Sequence, residues 1–225
     1  MSAMADLTTV PYDIDDEMLM RTREDGWPRV RVYEPAEVAV VIGRGGHQDL
    51  ELDKANISAD GVTLYKRPGG GCSVVLDPGN LIVSVVVPLE GIGGIKTAFA
   101  SISEWLITAL TVCDVPGVKQ RGISDLAIGE RKIGGSCMYR TRGLVYYTTT
   151  LLLDPDLDLV ERYLLYPPRE PDYREGRYHR KFMGSLKTMG LPPGNADLAY
   201  RLNIMLNLRL EELVDSLSDS LKIPT

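Results

Sequence analysis

Residues 66–80 read KRPGGGCSVVLDPGN, and the reading of this stretch decides the fold. A cation pair, Lys66 and Arg67, precedes three glycines; a β-branched run from Ser73 to Leu76 follows, and then the turn-forming residues Asp77-Pro78-Gly79-Asn80. Glycines let a backbone approach a ligand closely and turn its amides inward, while Arg67 offers a planar fork for a carboxylate or a phosphate. The stretch lacks the lysine-serine ending of a P-loop and no helix follows it directly, so the ordinary nucleotide-triphosphate motif is not supported. Taken alone it also fits a plain glycine-rich loop with a surface arginine. Leu81 to Val87 is a second β-branched run, so Ser73 to Val87 is expected to be an antiparallel hairpin.

Working outward, Val38 to Ile42 is an apolar run stopped by Gly43 and reads as a buried strand, and Val62 to Arg67 alternates as another. Asp13 to Arg23 reads as a helix capped by Asp13 or Asp15 and stopped at Gly26-Trp27-Pro28. Downstream, Ile95, Phe99, Ile102, Leu106 and Leu110 recur at helical spacing. Leu126 to Ile128, a Gly129-Glu130 turn and Lys132-Ile133 suggest a hairpin, Val145 to Leu153 a long strand, and Asp158 to Leu164 a short helix. Pro167 to Pro171 must be loop. Leu206, Leu210, Leu213, Leu217 and Leu221 mark one amphipathic C-terminal helix over about 196–222, entered after Pro192-Pro193-Gly194, with core cover or a dimer contact as its use. The pattern predicts an α/β (α+β) fold with a mixed, largely antiparallel sheet and flanking helices.

The chain has 225 residues, 44% of them hydrophobic, which suits one domain with a sizeable core. A net charge of −6 leaves no broad basic footprint and argues against nucleic acid as a partner. No apolar run is long enough to span a bilayer, and Met1 to Pro11 lacks signal-peptide features, so a cytoplasmic protein is expected. Cys72, Cys113 and Cys137 have no metal-site spacing, and His47 and His179 are the two histidines. Catalysis must therefore rest on lysine, arginine, carboxylates, hydroxyls and amides, which favours an anionic substrate.

A second constellation supplies such groups: GISDL at 122–126 and GERKIGGS at 129–136. A lysine at a strand start among glycines can reach a bound anion and stabilise charge on a carboxylate and an α-phosphate. The competing reading of Lys132 is a solvated hairpin-tip residue. Arg169, Arg174, Arg177, His179, Arg180 and Lys181 form a basic cluster that is either a solvated face or a dock for an acidic partner.

VIGR at 41–44, RPGGGCSVVLDPGN at 67–80, SDL at 124–126 with RKIGGS at 131–136, TTLLLDPDL at 149–157 and YPPREPDYR at 166–174 occur in this order. Together they resemble the signatures of the biotin/lipoate protein ligase superfamily, closest to its lipoate-protein ligase branch, over residues from about 38 to 187. The resemblance implies ATP, Mg²⁺ and lipoate as ligands. Lys132 would be the catalytic cation, touching both acid carboxylate and phosphate. Arg67 would hold the adenylate phosphate or ATP, Cys72, Ser73, Val74 and Val75 would contact the adenosine phosphates, and Ser124 and Asp125 would stand at the nucleotide end, Asp125 also at magnesium. Gly70, Gly71, Gly135, Ser136 and Thr148 would border the lipoyl chain.

The implied partner is a lipoyl carrier protein, resembling glycine cleavage H protein or an E2 lipoyl domain. Leu76 stands where the family often has histidine, and Tyr147-Thr148 where it commonly has a histidine pair. Only about 35 residues follow Gly190, which suits a short form without the C-terminal accessory domain, or one completed by a separate small subunit. An octanoyltransferase working through Cys72 or Cys137, and a non-catalytic carrier-binding subunit, are the alternatives. Biotin ligation is disfavoured because Gly43-Arg44-Gly45-Gly46 only approximates the biotin ligase loop.

Overall fold

The computed structural model describes residues 5–89, 94–191 and 195–221. In chain order the first half comprises β1 (Val10–Pro11), α1 (Asp16–Asp25), β2 (Arg29–Tyr33), β3 (Ala39–Ile42), α2 (Gln48–Glu51), α3 (Lys54–Ala59), β4 (Thr63–Lys66), β5 (Val74–Leu76) and β6 (Asn80–Pro88). The second comprises α4 (Ile95–Val112), β7 (Val118–Arg121), β8 (Asp125–Ile128), β9 (Arg131–Thr141), β10 (Leu144–Leu152), α5 (Leu157–Tyr163), α6 (His179–Phe182), α7 (Asn195–Leu208) and α8 (Leu210–Leu221). Six strands in the order β2-β6-β10-β9-β8-β7 form an antiparallel sheet, and β1-β4-β3-β5 form a smaller one in which β1, β4 and β3 run parallel. The expected mixed, largely antiparallel fold is therefore present, with its parallel pairing confined to the second sheet.

One face of the large sheet is sealed by α4, α7 and α8. Val83, Val85, Tyr147 and Leu151 from the strands pack there with Ile102, Leu106, Leu202 and Leu213. Ile82 projects from the other face onto Val41 and Leu76 of the small sheet. The small sheet's far side buries Val40, Ile42 and Leu64 under Leu52, Ile57, Val160 and Tyr163. Both faces of β3 and β6 are covered, which explains why β3 is wholly apolar and β6 is apolar on either side of Ser84.

Asp15 occupies the N-cap position of α1 but caps no backbone group. Its buried carboxylate instead accepts Ser84 Oγ at 2.5 Å and Tyr146 Oη at 2.7 Å, tying α1 to β6 and β10. Gly26 ends α1 in the left-handed conformation that its sequence position predicts.

Two expectations are corrected. Ser73 to Val87 is not a hairpin: β5 pairs with β3, β6 pairs with β10 and β2, and the intervening turn passes the chain between sheets. Asp77 accepts the Gly79 amide and the Asp156 amide, both at 2.7 Å, and a Cβ on Gly79 would lie 2.1 Å from Asp154 O, so the corner is clamped to the end of β10. The C-terminal leucines span two helices rather than one. They break at Arg209, whose carbonyl takes the Trp105 indole N–H at 2.8 Å. Leu206, Leu210, Leu213 and Leu217 are buried as core cover, while the Leu221 side chain and Pro192-Pro193-Gly194 lie outside what is described.

Candidate active site

The glycine loop joins the two sheets. Arg44 N donates to Gly69 O at 2.9 Å, and Gly43 lies so close beneath that a Cβ there would be 2.3 Å from Gly71 O. On its other side the loop meets β9 directly, since a Cβ on Gly69 would stand 2.7 Å from Cys137 Sγ. Only glycine permits this double approach. Arg67 holds the loop from within: its guanidinium donates to Val41 O, Gly70 O and Cys72 O at 2.7–3.2 Å. Beside Gly69, a cleft of about 20 Å³ with mostly carbon walls is bounded by Leu19, Pro68, Cys137, Tyr139 and Thr148. A more polar cavity of about 150 Å³, bordered by Asp6, His47, Asp49 and Lys66, includes none of the residues to which the resemblance assigns a ligand.

Lys132 Nζ lies 2.7 Å from Asp125 Oδ1 and is 27% exposed, whereas the Asp125 side chain is 10% exposed. The ladder explains the pairing. Asp125 faces Gly135 and Leu126 faces Gly134, but Ala127 faces Lys132, so Ile133 is an extra residue in β9. This bulge brings Lys132 onto the face of Asp125 and Gly135 and sends Ile133 into the core beside Leu126. Gly135 supplies the room, since a Cβ there would be 3.1 Å from Lys132 Nζ. Tyr173 donates its hydroxyl to Asp125 Oδ2 at 3.0 Å, and burial with the Asp125 charge holds that phenol well above its usual pKa.

Asp125 therefore has one oxygen on Lys132 and the other on Tyr173. No group of three or more histidine, cysteine or acidic side chains suited to a metal occurs among the described residues. With both oxygens engaged within the protein, the Asp125 carboxylate serves as the charge partner of Lys132.

The other predicted residues divide. Gly70, Gly71 and Cys72 share the loop with Arg67, and Thr148 lies across from Cys137 on β10, facing the same cleft. Val74 and Val75 are committed to pairing with β3. Ser124 accepts the Ser136 amide through its carbonyl at 2.8 Å. Ser136 turns its hydroxyl to the opposite face of the sheet, 2.8 Å from Tyr147 Oη and 3.0 Å from Thr149 Oγ1, so only its backbone borders Gly135. Ser73 has both donors engaged by Glu51, a residue with no motif around it to draw notice. This buried carboxylate takes the Ser73 amide at 2.6 Å and its hydroxyl at 2.8 Å on Oε2.

Burial pushes the Cys72 thiol up, reinforced by Glu51 and opposed by Arg169, Lys132 and Arg67, and burial likewise raises Cys137. Lys132 shares a face of β9 with Gly135 and Cys137, and Cys137 in turn meets Gly69, so the lysine lies on the sheet face that carries the glycine loop. Residues 164–171 arch over this region. Leu165 N bonds Glu51 O at 2.9 Å, Arg169 O lies 3.8 Å from Cys72 Sγ, and Pro171 abuts Gly122 at the β7–β8 turn.

Within the basic cluster, Arg174 is 5% exposed and stacks on Tyr166 and Phe182, Arg177 bonds the carbonyls of Tyr173, Arg174 and Glu130, and Arg180 pairs with Asp158. His179 is buried against Leu165 O at 3.1 Å, and its pKa is lowered, first by that burial and further by Arg174 and Lys132. No helix among the described residues is long and apolar enough to cross a membrane.

Residues 9–200 match the family model of the lipoyl protein ligase A/B catalytic domain. A probable lipoate-protein ligase A of Mycoplasma genitalium is 26% identical over 151 residues, covering 67% of this chain and 44% of that protein. The octanoyltransferase LipM of Symbiobacterium thermophilum is 27% identical over 188 residues, covering 73% of this chain and 68% of that protein. The chain spans less than half the length of the first curated relatives it matches. Among solved structures, the bi-partite lipoate protein ligase described with its E2 lipoyl domain from Thermoplasma acidophilum shares the fold. Its TM-score is 0.73 at 21% identity, over 96% of this chain and 89% of that one.

Proposed function

Because the chain belongs to the lipoyl protein ligase A/B catalytic domain family, we propose that it activates lipoate with ATP and transfers the lipoyl group to a carrier lysine. In the first step a lipoate carboxylate oxygen attacks the α-phosphorus of ATP, the bond to the β-phosphate oxygen breaks and pyrophosphate leaves. In the second, the carrier amine attacks the acyl carbonyl, the carbon–oxygen bond to AMP breaks, and an amide forms with loss of one proton to solvent.

The observation that carries this reading is the placement of Lys132. Its ammonium is paired with Asp125, given space by Gly135 and carried on the sheet face that the glycine loop meets, where one cation would neutralise both the carboxylate and the phosphate it attacks. Arg67 would exchange a loop carbonyl for a phosphate oxygen. The lipoyl chain would run past Gly70, Gly71, Gly135 and Thr148 into the carbon-walled cleft beside Gly69, which must widen to admit it. Ser136 would contribute through its backbone, and Cys72 and Ser124 would border the nucleotide.

The acceptor we propose is an E2 lipoyl domain or a glycine cleavage H protein. The archaeal bi-partite ligase supports that choice by its likeness in fold and leaves room for a separate small subunit here as well.

Lipoate-dependent exchange of labelled pyrophosphate into ATP tests the proposal. Exchange that Lys132→Ala abolishes supports it. Absence of exchange, together with transfer of octanoyl from a carrier thioester that Cys72→Ala or Cys137→Ala removes, replaces it with the octanoyltransferase reading. The raised thiols argue against that outcome, because thiolate is the nucleophile such a transfer needs.

A further inference from the structure

An acceptor lysine has a short side chain, so the carrier's surface must rest on the rim of the Lys132 site for its amine to reach the acyl carbonyl. Two exposed apolar features stand on that rim. Ile123, at the tip of the β7–β8 turn, is 87% exposed, two residues from Asp125, and its turn abuts Pro171 of the arch. Tyr178, 66% exposed, opens α6 and meets Tyr166 edge-on at 5.8 Å. The segment that contains both tyrosines is fixed to the site: Met183 bridges Lys132, and Tyr173 bonds Asp125. At such exposure Ile123 adds little to the core, and together with Tyr166 and Tyr178 it groups apolar surface beside the reaction centre, the kind of surface that contacts a partner.

Charge indicates the occupant. Residues 165–182 carry five lysines and arginines against three carboxylates, in a chain whose net charge is −6, so this rim attracts acidic surfaces that the rest of the molecule repels. Most of these cations are tied up internally, but Arg169 and Lys181 are exposed and form no ion pair among the described residues.

Resting on the ligase reading, we propose that Ile123, Tyr166, Tyr178 and Lys181 form the seat of the acyl-accepting carrier, a domain whose surface around the modified lysine is acidic. Ile123 and Tyr178 are its apolar anchors, and Lys181 with Arg169 sets the approach and the register of the lysine. Truncating a well-packed apolar anchor weakens binding far more than truncating its neighbours, whereas a rim charge acts on encounter and on salt dependence.

The test separates the two half-reactions in Ile123→Asp, Tyr178→Ala and Lys181→Glu. Lipoate-dependent pyrophosphate exchange, which needs no carrier, is expected to stay within about twofold of the unaltered protein. KM for an E2 lipoyl domain, or for a glycine cleavage H protein, is expected to rise about tenfold in the first two variants. In the third it rises in low salt and becomes less sensitive to added salt. Carrier KM unchanged in all three variants overturns the proposal, as does exchange falling in step with transfer. Exchange by the unaltered protein without transfer to either carrier overturns the partner class. Absence of exchange in the unaltered protein rejects the ligase reading instead, and the seat falls with it.

Discussion

Glu51 and Ser73 are joined through one carboxylate oxygen, which accepts the serine's amide and its hydroxyl together. The contact fastens α2 to the end of the glycine loop, 22 residues on in sequence. In Glu51→Ala both donors lose their acceptor in a buried setting, and a destabilisation of about 1–3 kcal/mol is expected in urea unfolding. Faster amide exchange at Ser73 and a raised KM for ATP accompany it. Unaltered Ser73 protection rejects the linkage.

Lys132 and Asp125 should behave as a unit. Lys132→Ala is expected to lower pyrophosphate exchange by about 10²–10³-fold, the cost of losing one positioned charge donor. Lys132→Arg rescues little, because a planar fork does not fit the space that Gly135 leaves for a compact ammonium. Asp125→Asn lowers exchange less, and the double variant Lys132→Ala with Asp125→Asn matches Lys132→Ala alone. Fully additive losses in this cycle would separate the two roles.

The thiols should be dispensable. Cys72→Ser and Cys137→Ser are each expected to keep at least a third of the pyrophosphate exchange. With both thiols raised, alkylation by iodoacetamide is slow at neutral pH and accelerates only in alkaline buffer. Rapid labelling of Cys72 at pH 7 contradicts this.

His179 should make the fold acid-sensitive. Its pKa in the folded chain lies below the ordinary 6.5, so on acidification the unfolded chain takes up a proton before the folded one does. Stability is therefore lost as pH falls from 6.5 towards the folded pKa, with a slope of at most about 1.4 kcal/mol per pH unit. His179→Gln keeps an N–H for Leu165 O and is expected to flatten that limb of a stability-versus-pH curve. An identical curve assigns the acid sensitivity elsewhere.

The elements were largely readable from periodicity, because the apolar runs of β3, β6 and α4 are long and each is bounded by glycine or proline. What failed was pairing. Asp77 to Asn80 announces a turn, but residue types within a turn do not say which edge receives the next strand; that is decided by β3 and β10, remote in sequence. Strand alternation alone would put Lys132 and Ser136 on one face. The bulge at Ile133 reverses the relation, and nothing in the local sequence announces it. The glycine loop and Lys132 were legible through residue chemistry and order, whereas Glu51 was not, since its partner is known only once α2 has folded against β5. Arg209 looked like ordinary helix until Trp105 claimed its carbonyl.

The arch beside the glycine loop has both ends fastened within the fold, one beside Glu51 and the other at Gly122, and three of its residues are the prolines Pro167, Pro168 and Pro171. A covering peptide that must fall into place at every turnover surrenders its freedom each time. Here that disorder is given up once, when the chain folds, so the acid of the proposed reaction would meet a roof already set at its working height.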